Sequence, residues 1–310
     1  MLISQSILSP WFITGLIDGE GYFTFSITKN IKSRLGLTIS PRFGICMHKR
    51  DSVLIKKIKN YFKVGIYKES GLFCYFEVSS IKELEIIINH FKYFPLQSSK
   101  RHAFYIFLII FDLYKNKIHL NREGLMLALA YINILNKNIK TEIINYIENL
   151  YGPLPKIILP PIKIIEKILV PSPWWINGFI VGEGSFTFFK RTRFTVSGIK
   201  KLDYTLVFEI SQRTQDSYLL NAIIAYFNIG SLFMDKKGIS RCRITSLPIL
   251  QHIILPYFKF YPLFGFKKIQ YDIWLKGVCL LITQNKWTKK REISLTSIIN
   301  QLSLLTKNNN

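Results

Sequence analysis

The sequence predicts an α+β fold made of two similar units, each reading as a helix, two strands, a helix, two strands and further helices. Three observations support this prediction. The chain repeats itself internally, alternating strand patterns follow each copy of a Gly-Glu-Gly sequence, and a proline-rich segment separates the copies. A chain of 310 residues can hold two domains of about 150 residues, each large enough for its own core.

The internal repeat is clearest at the start of each half. The segment "LSPWFITGLIDGEGYFTFSI" (8–27) returns as "VPSPWWINGFIVGEGSFTFF" (170–189). Further along, "FGICMHKRD" (43–51) is matched by "FEISQRTQD" (208–216). The spacing between the copies changes only by small loop insertions, so each half is one copy of the same unit.

Each unit opens with a helix that leads into two strands. Ser9-Pro10 and Ser172-Pro173 supply an N-cap residue and a first-turn proline. We expect both helices to end at the Gly-Glu-Gly sequence, because glycine commonly terminates a helix. Alternation of apolar and polar residues then predicts two strands.

The second half of each unit repeats this order. Asp51 or Asp216 opens a helix, and a hairpin turns near 70–71 or 237–238. One helix follows the hairpin, and another starts after "FPLQSSK" or "YPLFGFK". The first unit is therefore predicted to span 1–150 and the second 171–310.

The segment between the units, residues 151–170, is predicted to be a linker. It is rich in proline, which removes backbone donors and interrupts a helix. A continuous helix through this segment is therefore excluded.

The charge of the chain indicates a polyanionic partner. Lys and Arg number 42 against 19 Asp and Glu, which gives a formal charge of +23. Such a surplus repels itself in the folded state and is typical of nucleic-acid-binding proteins. The longest apolar run, 103–111, is far shorter than the ~20 residues of a membrane span, so a membrane is not an expected partner.

The cysteines and the amino terminus indicate a reducing compartment. The four cysteines are scattered singly, and the five histidines form no ligand-spaced cluster with them, so neither zinc nor disulfides are predicted. The abundance of Ile, Lys, Asn, Phe and Tyr, residues with AT-rich codons, indicates an organellar genome, most simply mitochondrial. We expect no presequence, since the amino terminus lacks the usual basic and apolar pattern.

The repeated first helix carries the most specific signal. Gly15 and Gly19 lie four residues apart on one helical face, as Gly178 and Gly182 do in the second copy, so the two helices can pack closely. Packing would bring the glutamates after Gly19 and Gly182 side by side at the negative ends of two helix dipoles. A hard divalent cation would offset this repulsion, because carboxylate and carbonyl oxygens are its preferred ligands.

The motifs "ITGLIDGEG" and "INGFIVGEG" resemble the signature of the LAGLIDADG homing endonucleases, in the single-chain form with two motifs. The resemblance covers nearly the whole chain. It implies two pseudo-symmetric αββαββα units whose saddle-shaped antiparallel sheets bind a DNA duplex, and a metal-dependent staggered double-strand cut. By the same resemblance Mg²⁺ is the cofactor, and Ca²⁺ is expected to bind without supporting cleavage. The family's metal-binding acids fall on Glu20 and Glu183, and its carbonyl ligands on Gly19 and Gly182.

The match has departures from the family pattern. Thr14 and Asn177 replace a small alanine, and Val181 stands where Asp18 does in the first copy. None of these positions is a metal ligand, so the departures concern the helix interface.

The resemblance also assigns catalytic helpers near the metal. A solvent-ordering glutamine falls on Gln212 and a lysine on Lys267. Lys100 mirrors Lys267 in the first unit, whereas Met47 mirrors Gln212. The active site is therefore expected to be asymmetric.

Strand parity predicts the face that reads DNA. Polar residues alternate with apolar ones along the strands of both units, so the polar set shares one side of each sheet. Arginine on such a face can read guanine in the major groove. The predicted reading residues are Tyr22, Thr24, Ser26, Thr38, Ser40, Arg42, Ser185, Thr187, Arg241, Arg243 and Thr245.

Two other functions remain open at this point. A maturase that binds its host intron RNA could use the same fold and charge, and a regulator without nuclease activity could bind DNA alone. Retention of both glutamates favours the nuclease. The expected partner is double-stranded DNA, bound by a monomer, since both units lie in one chain.

Overall fold

The computed structural model describes residues 8–159, 172–283 and 288–307, apart from 195, 197 and 199. Within that part the chain forms two units. Residues 8–10 and 20–159 make the first, and residues 11–19 join the chain from 172 onward in the second. From residue 160 the predicted linker lies outside the described residues.

The first unit is a four-stranded antiparallel sheet of order β1-β2-β4-β3 covered by helices. It follows the first helix, α1 (Pro10–Glu20). Its elements are β1 (Gly21–Lys29), β2 (Leu37–His48), α2 (Ser52–Phe62), β3 (Ile66–Ser70), β4 (Phe73–Val78), α3 (Ile81–Tyr93), α4 (Lys100–Lys115), α5 (Arg122–Leu135) and α6 (Thr141–Tyr151).

An aromatic cluster fills the space between this sheet and its helices. Phe23 of β1 contacts Phe43 of β2, Phe91 of α3 and Phe107 of α4, with ring centroids 5.2 to 5.7 Å apart. All four side chains are buried. Because Phe23 and Phe43 occupy one parity of their strands, the opposite face of the sheet is left for polar side chains.

The second unit repeats the same plan with a sheet of order β5-β6-β8-β7. Its elements are α7 (Pro173–Glu183), β5 (Gly184–Phe194), β6 (Lys200–Arg213), α8 (Ser217–Phe227), β7 (Leu232–Met234), β8 (Ile239–Ile244), α9 (Leu247–Ile249), α10 (Leu255–Phe260), α11 (Gly265–Thr283) and α12 (Lys289–Lys307). Phe186 is the centre of its core and contacts Phe208, Phe258, Tyr271 and Trp274.

The predicted α+β class and the element order are confirmed in both units. One predicted helix is interrupted, because a π-helical turn (Leu250–Ile254) joins α9 to α10. Pro256 follows this turn and has no amide hydrogen for the carbonyl four residues earlier, which favours the wider turn. No helix in the described residues combines the length and apolar character that a membrane span requires.

Candidate functional site

The two motif helices, α1 and α7, are buried on all sides. Phe12–Asp18 and Trp175–Val181 are continuous buried stretches. A helix that is apolar all round is typical of a protein interior. Residues 11–19 of α1 belong to the second unit, together with α7.

Two glycines allow the backbones of this pair to touch. A Cβ atom at Gly15 would overlap the carbonyl oxygen of Trp175, and one at Gly178 would overlap the carbonyl oxygen of Phe12. The predicted glycine groove is thus used at the first glycine of each motif. At Gly19 an added Cβ would lie 3.5 Å from Gly182 Cα, an ordinary contact.

Polar side chains of the two motif helices make hydrogen bonds within this unit. Trp175 Nε1 donates to Asp18 Oδ2 at 2.8 Å. Asn177 Nδ2 donates to the carbonyl oxygens of Tyr261, at 2.6 Å, and Pro262, at 3.1 Å. Asn177 therefore ties α7 to the loop that precedes α11.

The paired helices bring a glycine against a motif glutamate. A Cβ at Gly19 would lie 3.5 Å from Cγ and 3.8 Å from Oε1 of Glu183. Glu183 ends α7, and Glu20 ends α1; both are partly exposed. Each carboxylate sits at the negative end of its helix dipole, where a cation is favoured.

Lys267 lies at the same end of α7. Its Nζ donates to the carbonyl oxygen of Gly184, the residue after Glu183, at 2.5 Å. Lys267 is in the first turn of α11, the helix that follows the loop held by Asn177. The structure thus brings the predicted lysine to the backbone beside the motif glutamate.

Gln212 is close to this point along the sheet. Ile210 of β6 pairs with Gly184, and Gln212 follows two residues later on the same strand face. Its Oε1 accepts a hydrogen bond from the amide of Arg213 at 2.8 Å. In the first unit Lys100 begins α4, and Met47 is buried.

The donor set suits a hard cation with few protein ligands. Among the described residues, no group of three or more His, Cys, Asp or Glu side chains is placed to hold a metal. Near Glu183 the available ligands are a carboxylate and main-chain carbonyl oxygens. Mg²⁺ fits such a set, because it keeps several waters and takes one or two carboxylates together with phosphate oxygens.

The predicted reading face of the first sheet has the expected parity. Tyr22, Thr24 and Ser26 are partly exposed, whereas Phe23 and Phe25 are buried. On β2, which pairs with β1, the partly exposed residues are Thr38, Ser40 and Arg42.

Several of these side chains already make internal hydrogen bonds. Thr24 Oγ1 donates to Asn136 Oδ1 at 2.7 Å. Thr38 Oγ1 accepts from Asn30 Nδ2 at 3.0 Å. The face is therefore polar and partly preorganised.

The reading face of the second sheet is more basic. Ser185 and Thr187 alternate with buried Phe186 and Phe188. Arg241 and Arg243 alternate with buried Cys242 and Ile244, and the exposed Thr245 follows the end of β8. The exposed Arg191 and Arg193 extend this face along β5.

Sequence reasoning missed two acids that lie within these basic faces. Glu77 and Glu209 are buried, at 7% and 8% exposure, yet they lie on the polar side of their strands. Glu77 pairs with Lys68 and Arg42, and Glu209 with Arg241 and Arg243. The available signal was a lone acid within an apolar stretch of each strand, "FCYFEV" and "LVFEIS".

This duplicated αββαββα fold, with a glutamate at the end of the first helix of each copy, defines a two-motif protein. A family model described as LAGLIDADG endonuclease matches residues 13–111 and 176–278. The chain therefore belongs to the LAGLIDADG endonuclease family, and the resemblance inferred from its motifs is confirmed.

Two solved structures share the fold over almost the whole chain. One is I-SmaMI bound to an uncleaved DNA target in the presence of calcium ions, with 25% identity, a TM-score of 0.84, and coverage of 96% of this chain and 99% of that one. Another is the meganuclease I-CpaMI bound to uncleaved DNA, with 27% identity, a TM-score of 0.81, and coverage of 95% and 99%.

Curated relatives include intron-encoded proteins of fungi. A probable intron-encoded endonuclease 3 of Neurospora crassa is 29% identical over 96% of this chain, and a probable intron-encoded endonuclease 2 of the same fungus is 29% identical over 95%. The chain spans 54% and 65% of the lengths of these two relatives.

Proposed function

We propose that the chain is a site-specific homing endonuclease that makes a staggered double-strand cut in a long, asymmetric DNA target with the help of a divalent metal ion. The observation that carries this proposal is the close pair of motif helices, which sets Gly19 against Glu183 at the carboxyl end of α7. A glutamate at the negative end of each motif helix is unfavourable by itself, and a bound cation would offset this repulsion.

Each site residue is assigned one role. Glu20 and Glu183 would bind divalent metal through their carboxylates, and the carbonyl oxygens of Gly19 and Gly182 would complete the protein ligands. When bound, Mg²⁺ supplies charge stabilisation for the phosphodiester and activation of water. Lys267 and Lys100 place positive charge near the cleaved strands, and Gln212 orients solvent.

The sheets provide affinity and sequence selectivity. Polar and basic side chains of the two reading faces contact base edges, and the surplus positive charge neutralises phosphates. Because the two faces differ in sequence, the target is asymmetric and one chain suffices to bind it. The relatives with intron-encoded names, and one named as a mitochondrial protein of Saccharomyces cerevisiae, support a mitochondrial site of action.

A cleavage assay tests this function. The protein is incubated with Mg²⁺ and a library of fungal mitochondrial intron-insertion sites, and cut ends are sequenced. We expect one site to be cut on both strands, binding without cutting when Ca²⁺ replaces Mg²⁺, and no cutting in EDTA. Binding to intron RNA and promotion of its splicing, without any DNA cleavage, would instead establish the maturase function and overturn the proposal.

Sedimentation of the complex tests the stoichiometry. One chain per duplex is expected, and affinity should fall steeply with salt as phosphate counterions are released. A dimer on a palindromic site would contradict the single-chain model.

A further inference from the structure

Each sheet places one nearly buried carboxylate in the row of residues that starts two positions after the motif glutamate. In the first unit this row runs from Tyr22 through Gly44 to Glu77. In the second unit the equivalent row runs from Ser185 through Glu209 to Arg243. The carboxylate lies on the third strand of the row in the first unit, as Glu77 of β4, and on the second strand in the second unit, as Glu209 of β6. Both rows therefore contain one carboxylate.

An acid on a face that binds DNA needs a physical reason. A carboxylate there repels phosphates, and its burial adds a desolvation cost. Ion pairs between the carboxylate and neighbouring basic side chains can offset both costs. Each acid joins two basic side chains, which come from β2 and β3 in the first unit and both from β8 in the second.

The second unit shows what the acid does to its cations. Arg243 meets Glu209 through Nε, with 2.5 Å to Oε2, and 53% of its side chain is exposed. The edge formed by its two terminal nitrogens is therefore turned away from the carboxylate. Guanine O6 and N7 accept hydrogen bonds from this kind of edge in a bidentate contact.

Arg241 is held differently by the same acid. Its Nη1 contacts Glu209 Oε1 at 3.0 Å, and its Nη2 contacts Asp235 Oδ2 at 3.2 Å. Both terminal nitrogens are engaged, and only 32% of the side chain is exposed. Arg241 thus holds Glu209 in place, whereas the terminal nitrogens of Arg243 remain available for other acceptors.

The first unit has the same arrangement of a nearly buried glutamate paired with two basic side chains. Glu77 contacts Lys68 at 2.6 Å and Arg42 at 3.6 Å, and it accepts a 2.6 Å hydrogen bond from Tyr22. Tyr22 crosses the row above Gly44, where an added Cβ would lie 2.5 Å from its hydroxyl. Burial raises the pKa of Glu77, but the hydrogen bonds from Lys68 and Tyr22 and the charge of Arg42 outweigh it, so the pKa lies below the ordinary value.

We propose that Glu77 and Glu209 are positioning residues that set base selectivity by orienting basic side chains on the two reading faces, with Arg243, held by Glu209, as the reader of a guanine. This inference rests on the proposed function and names the source of its selectivity in each unit. Glu209 acts through Arg243 and makes no base contact of its own.

The test compares base preference at every position of the target for four variants and the wild type. The variants are Glu209→Gln, Arg243→Ala, their double mutant and, as a matched control, Glu85→Gln, which removes the same charge from a helix ion pair with Lys115 outside the sheets. The full chain is used with Ca²⁺ and a library of single-base-pair target substitutions. Thermal unfolding checks that each variant is folded.

We expect Glu209→Gln to relax selectivity at the one or two base pairs that Arg243→Ala also relaxes. The loss should approach the roughly 5- to 150-fold discrimination of a bidentate guanine contact. Affinity for targets substituted at those base pairs should stay the same or rise, because a negative charge has left the DNA-binding face. In the double mutant Glu209→Gln should add nothing, and Glu85→Gln should match the wild type.

Three outcomes overturn the inference. Unchanged base preference in Glu209→Gln does so, as does a loss in the double mutant equal to the sum of the single losses, which would mean that Glu209 contacts DNA itself. If Glu209→Gln does not fold, Arg243→Lys, which keeps the charge but loses the Nε contact, must relax the same base pairs, and a wild-type profile for it overturns the inference. A wild-type protein that selects no DNA sequence would instead overturn the proposed function.

Discussion

Trp175 Nε1 donates a 2.8 Å hydrogen bond to Oδ2 of Asp18, and both side chains are buried. The bond joins the two motif helices at the place where the motifs differ, since Val181 occupies the position of Asp18 in the second copy. A buried carboxylate without hydrogen-bond donors is destabilising, so the hydrogen bond from the Trp175 indole offsets part of the cost of burying Asp18.

Trp175→Phe should therefore destabilise the protein. It removes a donor from a buried acceptor and leaves a small void, for which we expect a loss of about 1 to 3 kcal/mol in the free energy of unfolding. Urea denaturation measures this loss. Trp174→Phe, at a partly exposed position, is the matched control and should cost less.

Gly178→Ala should strongly destabilise the protein, although it adds only one methyl group. The new Cβ would overlap the carbonyl oxygen of Phe12, so the motif helices would have to separate. We expect a loss of about 2 kcal/mol or more, as for overpacking against an immovable neighbour. Gly19→Ala on the partner helix is the control for thermal unfolding in EDTA, because its Cβ would meet atoms only at 3.5 Å and beyond. Equal effects of the two substitutions would contradict the close backbone contact.

Glu20→Gln and Glu183→Gln should each abolish cleavage and leave duplex affinity within about tenfold of the wild type. The carboxylates are assigned to the metal, and the sheets are assigned to the DNA contacts. Single-turnover cleavage and a binding titration in Ca²⁺ separate the two effects. A variant that cuts both strands at the wild-type rate would remove these glutamates from the active site.

Metal-free stability provides a separate check on Glu183. Its carboxylate lies at the negative end of α7, so Glu183→Gln should raise the free energy of unfolding in EDTA by about 0.3 to 1 kcal/mol. Saturating Ca²⁺ should reverse the order, because only the wild type keeps the full site. Calorimetry at neutral pH that finds the variant less stable in EDTA would show that the carboxylate has no unfavourable surroundings.

His90 should make stability depend on pH. Burial lowers the pKa of this imidazole to about 4, below its ordinary 6.5, and its ring is packed against Phe62 and Phe91. As pH falls through 6.5 the unfolded chain takes up the proton first, so stability falls between pH 6.5 and about 4, by on the order of 3 kcal/mol, and this term is constant below.

Unfolding experiments across this pH range test the role of His90. His90→Gln should flatten the loss of stability, whereas His252→Gln, at an exposed position, should keep the wild-type slope. An unchanged slope in His90→Gln would assign the pH dependence to other groups.

Local patterns were enough to predict most of the fold. The Ser-Pro starts, the Gly-Glu-Gly ends and the strand alternation depend on neighbouring residues, so α1, α7 and the paired strands follow from the sequence directly. The parity of the reading faces follows for the same reason. The place of Lys267 beside Gly184 agrees with its position in the repeat, although repeat position alone does not define a distance.

The internal ion pairs could not be predicted in this way. Glu77 and Glu209 are each surrounded by residues from neighbouring strands, and their partners depend on strand register, which alternation alone leaves undefined. Likewise, the sequence does not explain a polar Asn177 in an apolar helix, because its partners, the carbonyl oxygens of Tyr261 and Pro262, are distant in sequence.

The grouping of residues 11–19 with the second half of the chain has a consequence for synthesis. Helix α1 leaves the ribosome before α7, because Trp175, the hydrogen-bond partner of its Asp18, is 157 residues further on. At about 5 to 20 residues per second, the apolar helix waits roughly 8 to 30 seconds for its neighbour. During translation the apolar residues of α1 therefore lack the helix against which they pack. A fragment that ends before α7 should aggregate or recruit chaperones even where the complete chain folds without aggregating.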